Sequence, residues 1–373
     1  MQKRWEIYLL SLIFSYLLII KLGLNSVVQP IRLTLTGIIL LEAAIYSVNT
    51  SSNKLKFPSV MTGLFAFYLF VVIISYPLNL MFNLGSIVKY SCYMLVFLAA
   101  FNGFNLRTEK LFGGYFLLGL YAVSFVQLFT GDTEYINMVE RVSGVYYRHS
   151  SGMALFLTIL FGHVLYKSNK SWSFIHLLII SYLLLKTGSR SGVIAVIVAW
   201  LVVELFKGKN WKLLITISIT LYLLSNFLLE LVESASIFDR FVYLIESGND
   251  ASTLKRIQYF ERAIEDMSIS IFGNGLGSFA VLYEELHGKK LGAHNNLLLF
   301  LIELGILGVI IYILHLAILF LRIIKLNNPY LLFIFIAFYI GGSLNNNYYY
   351  PAGMIIFFAE YGKSLFNEKI DST

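Results

Sequence analysis

The sequence predicts an all-α fold, a polytopic bundle of about twelve transmembrane helices. Three observations carry that expectation. Hydrophobic residues make up 58% of the 373 and charged residues only 13%, with a mean hydropathy of +0.75, which leaves too little polar surface to cover a water-soluble fold of this length. Apolar runs long enough for a hydrocarbon layer of about 30 Å recur along the chain. Lysine and arginine gather between alternate runs, as the positive-inside bias requires.

Taken in order, the apolar runs fall at about 5–21, 33–49, 58–76, 84–103, 111–130, 150–166, 171–187, 191–206, 211–230, 294–321, 329–347 and 351–366. The first leads straight into further membrane sequence without a small-residue cleavage site, so it is expected to be retained rather than removed as a signal peptide. With both termini cytoplasmic, Lys3-Arg4, Lys54 and Lys56, Arg107 and Lys110, Lys167 and Lys170, Lys207, Lys209 and Lys212, Arg322 and Lys325, and Lys363 and Lys369 all share one side. Residues 1–373 then form a single integral membrane domain with two extracytoplasmic loops, at 131–149 and, larger, at 230–293. The outer turns near Asn79 and Asn345 carry no charge, whereas 131–149, Thr187–Arg190 and 230–293 do. Charges placed against the topological bias need another explanation, of which function is one.

The net charge of +7 records this inside bias and gives no reason to expect nucleic acid. The single cysteine, Cys92, lies within an apolar run and can form no intramolecular disulfide. Without a complete Gly-x4-Gly-Lys-Ser/Thr phosphate loop or a metal-ligand cluster, no cofactor and no metal is expected. Asp132-Thr133-Glu134 reads as a solvated loop rather than a cation site.

The segment of greatest chemical interest runs from Gly273-Asn274-Gly275-Leu276-Gly277 to His294-Asn295-Asn296 at the start of a long apolar helix. A histidine where water meets hydrocarbon can exchange a proton near neutral pH, and the glycines let backbone approach a bulky ligand closely. Upstream, Leu254, Ile257, Phe260, Ile264 and Met267 form the stripe of an amphipathic helix on or near the membrane surface, with Arg256 at its edge. Arg256 suits either a lipid headgroup or plain snorkelling.

Arg190 stands in the turn Thr187-Gly188-Ser189-Arg190-Ser191-Gly192. A guanidinium there can clamp phosphate, with the Thr187, Ser189 and Ser191 hydroxyls, open glycine backbone and a helix N-terminus as further donors; the alternative is an interfacial anchor with a capping serine. A third basic cluster holds Arg141, Tyr146, Tyr147, Arg148 and His149, whose tyrosines fit an interfacial belt or a platform for sugar rings. Glu303 falls inside the apolar span and is expected to find a basic or hydroxyl partner. Gly305 and Gly308 form a small-residue face suited to a neighbouring helix. Glu42, Lys89, His163, His176, His315 and Glu360 are expected to be partnered bundle residues.

These parts, in this order over roughly residues 135–310, resemble the O-antigen polymerase and O-antigen ligase family of bacterial cell-surface polysaccharide enzymes. The resemblance rests on Arg141 with Gly144 before a helix, the TGSRSG turn, the arginine-bearing helix before Gly273–Gly277, and the His-Asn start of a helix that continues Glu-Leu-Gly-Ile-Leu-Gly. It implies a metal-independent glycosyltransferase with a GT-C-like helical bundle in the bacterial inner membrane, its active site extracytoplasmic. It implies undecaprenyl-diphosphate-linked oligosaccharide as donor and acceptor, membrane lipid as surroundings and a chain-length regulator as a candidate partner. His294 matches the catalytic histidine; Arg190, Arg256 and Arg141 match arginines that hold the diphosphate; Ser189, Asn295, Glu303, Arg148 and Tyr147 are candidate supporting residues.

The chemistry asks for the same residue types. Charge developing on a leaving diphosphate needs stabilisation, which arginines provide, and the attacking hydroxyl needs a base such as neutral histidine. Direct displacement with no carboxylate pair placed for a double displacement predicts inversion. The expected activity is polymerisation of lipid-linked repeat units of O-antigen or capsular polysaccharide, with ligation to lipid A core or another acceptor as the alternative. A flippase or transporter is the third reading, weakened by the absence of two related halves.

Overall fold

The protein is described by a computed structural model over residues 134–136, 139–141, 150–168, 173–187, 189–207, 251–267, 269–288, 295–345, 356–358 and 360–365. The expected helices at 5–21 through 111–130 and at 211–230 lie outside the described residues, as do Glu42, Lys89, Tyr147, Arg148 and His294.

Within the described residues the fold is helical apart from one hairpin. Strands β1 (Glu134–Ile136) and β2 (Val139–Arg141) pair antiparallel, with Glu134 opposite Arg141. The sequence suggested only a loop here; Tyr135, Ile136 and Val139 are residue types that favour a pleated pair. The helices are α1 (Ser150–Lys167), α2 (Ser173–Lys186), α3 (Arg190–Phe206), α4 (Ala251–Asp266), α5 (Ser278–His287), α6 (Asn296–Lys325) and α7 (Pro329–Asn345). Residues 360–365 are helical too. The apolar runs expected at 150–166, 171–187, 191–206, 294–321 and 329–347 thus appear as helices, with ends shifted by a few residues.

Helix α5 is an addition to the sequence reading, which treated 273–293 as loop. It is bracketed by left-handed glycines, Gly277 and Gly288, and the Gly288 N–H closes the helix on Glu284 O at 2.7 Å. Phe279, Tyr283 and His287, spaced by four, were its legible signal.

α1, α3 and α7 pack on one another, α2 leans on α1 and α3, and α6 packs against α7. Small residues set the spacing. Gly192 of α3 abuts Ala154 of α1, while Gly162 of α1 faces the Phe333 ring of α7, neither with room for a Cβ. Among the described residues α6 is the one helix long and apolar enough to cross a membrane, and α1, α2, α3 and α7 contain shorter apolar stretches. Its exposed side chains Ile306, Ile310, Ile313, Leu314 and Leu321 recur on one face, as a surface turned to hydrocarbon would.

At the far end of this bundle Glu360 is buried and partnered as expected. Lys167 Nζ lies 2.7 Å from its Oε1, and Asn328 Nδ2 donates to the same oxygen at 3.1 Å and to Ser364 Oγ at 2.7 Å. Asn328 Oδ1 also accepts the Leu331 N–H at 3.1 Å, so one side chain caps α7 and ties it to the C-terminal helix. His163 meets Tyr330 edge-on, ring centroids 5.5 Å apart. His315 Nε2 has no hydrogen-bond partner among the described residues.

Removing the cation from a buried pair leaves a carboxylate uncompensated, whereas an exposed pair contributes little. Lys167→Met is therefore expected to destabilise the protein by about 2–4 kcal/mol, and Lys207→Met, whose pair with Glu204 lies at the surface and partly open to solvent, by no more than about 1 kcal/mol. Thermal unfolding in detergent of both variants checks this; equal shifts would contradict it.

Candidate functional site

The local chemistry of α6 starts at its N-terminus, where Asn295 Oδ1 accepts the N–H groups of Leu297 at 2.8 Å and Leu298 at 3.2 Å. Asn295 is thus a helix cap. The helix then breaks. Gly305 has φ 71° and ψ −170°, so α6 consists of two helices, 296–304 and 306–325. A break frees carbonyls on one side and N–H groups on the other, and within an apolar layer no water replaces the lost partners.

Residues 270–275 supply them. Asn274 donates to Ile302 O through its backbone at 2.9 Å and its side chain at 3.1 Å, and the Gly275 N–H donates to Glu303 O at 3.0 Å. Across the break the Ile306 and Leu307 N–H groups donate to Ser270 O at 3.2 Å and Ile271 O at 3.1 Å. The loop lies in the gap backbone to backbone. Gly273, φ 76°, presses on the Glu303–Gly305 backbone, and Gly305 presses back on Ile271 and Gly273, with no space for a Cβ on either.

Two expectations are corrected by this geometry. The glycine-rich loop was read as a surface for close approach of a ligand, but what approaches it is the backbone of α6. Gly305 and Gly308 were read as a face for a neighbouring helix; Gly305 instead meets the loop, and the space at Gly308 is filled by Leu304 of its own helix.

Glu303 is the third correction. It is buried, and among the described residues its partners are backbone N–H groups rather than a basic group or a hydroxyl. Its Oε1 accepts the Phe279 N–H at 3.4 Å, and the Gly277 backbone N–H is directed to it as well. The carboxylate therefore sits at the positive end of α5, serving as a cap supplied from a distant segment. That holds α5 against the half-helix 296–304.

Helix α4 joins the same unit. Ala263 and Met267 of α4, Phe279 and Tyr283 of α5 and Leu298, Leu299 and Ile302 of α6 bury one another in a single cluster. His287 Nε2 lies 3.3 Å from Asp266 Oδ2, an ion pair when the imidazole is protonated. The amphipathic helix was expected on or near the membrane surface with Phe260, Ile264 and Met267 in its stripe; Met267 is buried, Phe260 and Ile264 are 40% and 39% exposed, and Ala263 beside them is fully covered. The docked edge is rotated from the expected stripe. By helical register Arg256, seven residues before Ala263 and eleven before Met267, stands on that docked edge.

The turn before α3 was expected to offer hydroxyls to an anion. Instead Thr187 Oγ1 donates to Leu184 O at 2.6 Å and accepts the Ser189 N–H at 3.2 Å, and the Ser189 and Ser191 hydroxyls pair at 3.1 Å; all three side chains are buried. Ser189 occupies the N-cap position without a capping bond, and the Gly192 N–H donates to Ser189 O at 3.2 Å. Arg190 holds the first position of α3, at the positive end of its dipole.

Phe206 of α3 meets Phe320 of α6 at 5.7 Å, and α7 packs on both helices. Arg141 ends β2, opposite Glu134 in the strand register. α4 and the half-helix that follows His294 are thus brought together.

Residues 175–313 match the family model described as O-antigen ligase. The matched stretch holds the Arg190 turn, α4, the inlaid loop, His294 and the break, and supports the resemblance to the O-antigen polymerase and ligase family, whose members are membrane-integral enzymes of surface-polysaccharide assembly. No curated protein matches the chain.

The inlay makes a graded prediction. Gly305→Ala and Gly273→Ala force a Cβ into backbone at positive φ and are expected to cost more than about 3 kcal/mol each. Gly288→Ala, at φ 68° in open space, costs about 1 kcal/mol. Glu303→Gln keeps an acceptor for α5 and should be milder than Glu303→Ala, which orphans buried N–H groups at about 1–3 kcal/mol. Unfolding midpoints of the five variants give the order directly, and Gly288→Ala as damaging as Gly305→Ala would overturn it.

Proposed function

We propose that this chain, with its O-antigen ligase segment at residues 175–313, is a multi-pass glycosyltransferase of the bacterial inner membrane that polymerises oligosaccharide repeat units carried on undecaprenyl diphosphate. In the proposed step an acceptor sugar hydroxyl gives its proton to His294 as its oxygen attacks the anomeric carbon of the donor. The bond from that carbon to the diphosphate breaks, and the leaving group carries the electron pair away. Arg190 and Arg256, with Arg141 as a third cation, stabilise the charge that develops on it. No metal enters the step. The active site faces outward, with both termini cytoplasmic.

The single observation that supports this reading best is the packed unit of α4, α5 and the half-helix 296–304. It couples the helix of Arg256 to the helix that starts directly after His294, so a phosphate clamp and a base can be held in fixed relation.

A ligase reading is favoured by one specific finding, the description of the matched family model. The chemistry is the same and the acceptor differs. Purified protein in liposomes with a lipid-diphosphate-linked repeat unit as sole substrate is expected to give a glycan ladder rising by one repeat. Transfer only after lipid A core is added would establish the ligase, and no transfer in either case would overturn both readings.

His294→Ala is expected to abolish turnover at normal protein levels, and chelators to leave turnover unchanged. Arg190→Lys and Arg256→Lys keep charge but lose the bidentate fork, so each should lower turnover by at least about tenfold; undiminished activity would assign them to anchoring. NMR of donor and product linkages should show inversion, and retention would exclude direct displacement.

A further inference from the structure

Helix α4 divides its surface into three sectors. Ala263 and Met267 are docked; Gln258, Glu261, Arg262, Glu265 and Asp266 are exposed and polar; between these edges Phe260 and Ile264, one turn apart, are exposed and apolar. A water-soluble subdomain has no use for that third sector. The apolar surface does not end with the helix. Ile269, Ile271 and Phe272 follow at 40%, 61% and 42% exposure, and they belong to the loop inlaid in the break of α6.

The hydrogen bonds of that inlay fix what lies beside them. The Ile306 N–H donates to Ser270 O and the Leu307 N–H to Ile271 O. Ile306, itself 47% exposed, begins the apolar stripe that continues through Ile310 and Ile313 on α6, among the described residues the helix long and apolar enough to cross a membrane. The outer face of α6, the loop and the third sector of α4 are therefore one continuous apolar surface with a polar margin on α4. A single medium covers all of it.

We infer that this medium is the lipid bilayer: residues 269–272 are inserted beside α6 and α4 lies in the interfacial layer, Phe260 and Ile264 toward the acyl chains and Glu261 and Glu265 toward water. The break in α6 then lies within reach of lipid rather than in an aqueous loop. Its carbonyl and N–H groups stay dry because the inlaid backbone satisfies them. The inference stands on exposure and helical register and is independent of the transfer chemistry.

The experiment is nitroxide accessibility in phosphatidylcholine–phosphatidylglycerol vesicles, with Cys92→Ser as background and single labels at Phe260→Cys, Ile264→Cys, Phe272→Cys, Glu261→Cys and Glu265→Cys. Oxygen, which concentrates in lipid, should relax the labels at 260, 264 and 272 more strongly than a water-soluble nickel chelate does. The order should reverse at 261 and 265. If the Phe272 variant does not fold, the contrast between 260 or 264 and 261 or 265 on the same helix still decides. Nickel access at 260 and 264 equal to that at 261 would place the face in water and overturn the inference. Spin–spin broadening at 260 and 264 would overturn it in favour of a second copy of the chain.

Discussion

The backbone hydrogen bonds across the break at Gly305 are the constraint on which the rest depends. An apolar helix can be interrupted only if something replaces the bonds its last and next turns would have made. Here residues 270–275 do so on both sides, accepting from Ile306 and Leu307 and donating to Ile302 and Glu303. The replacement is backbone on backbone, which is why glycine is required at Gly273 and Gly305, where a Cβ would stand inside the opposite strand of chain. Once the loop is seated, Glu303 can reach the start of α5, α5 can bury Phe279 and Tyr283, and α4 can dock through Ala263 and Met267.

That sequence of dependencies explains how segments far apart in the chain come to form one packed unit. Neither α4 nor α5 is long or apolar enough to hold its place alone, and a short isolated helix is marginal in water. Their shared cluster with Leu298, Leu299 and Ile302 supplies the missing stabilisation. The bundle of α1, α3 and α7 does a different task. Its close contacts at Gly162 and Gly192 and the buried Lys167–Glu360 pair fix the scaffold against which α6 is held.

What the sequence made legible was the class of fold and the segments that matter. Apolar periodicity located α1, α2, α3, α6 and α7, because a helix in hydrocarbon needs length and apolar composition and both are local properties. The amphipathic character of α4 was legible too, but not which edge docks, since Ala263 carries little hydrophobic signal and is buried by its neighbours' shape. The break was hidden: glycine in an apolar run serves equally well as a packing face or as a kink, and only the partner segment distinguishes them. Glu303 was expected to seek a charge and found a helix N-terminus, an acceptor site that no residue-type pattern announces. Asn295 and the Thr187, Ser189 and Ser191 hydroxyls were read toward a ligand, while Asn295 caps α6, Thr187 closes α2 and the two serine hydroxyls pair with each other.

The central claim is that the inlaid break holds the helix of Arg256 against the helix that His294 precedes. Its most direct test is the distance between spin labels at Arg256→Cys and His294→Cys in a Cys92→Ser background, measured by double electron–electron resonance in membranes. Each position is no more than about two helical turns, some 11 Å, from the contacts that join α4 to the half-helix, so a single narrow distribution centred below about 25 Å is predicted. A broad distribution, or one centred well beyond that distance, would mean that the two residues do not share a site.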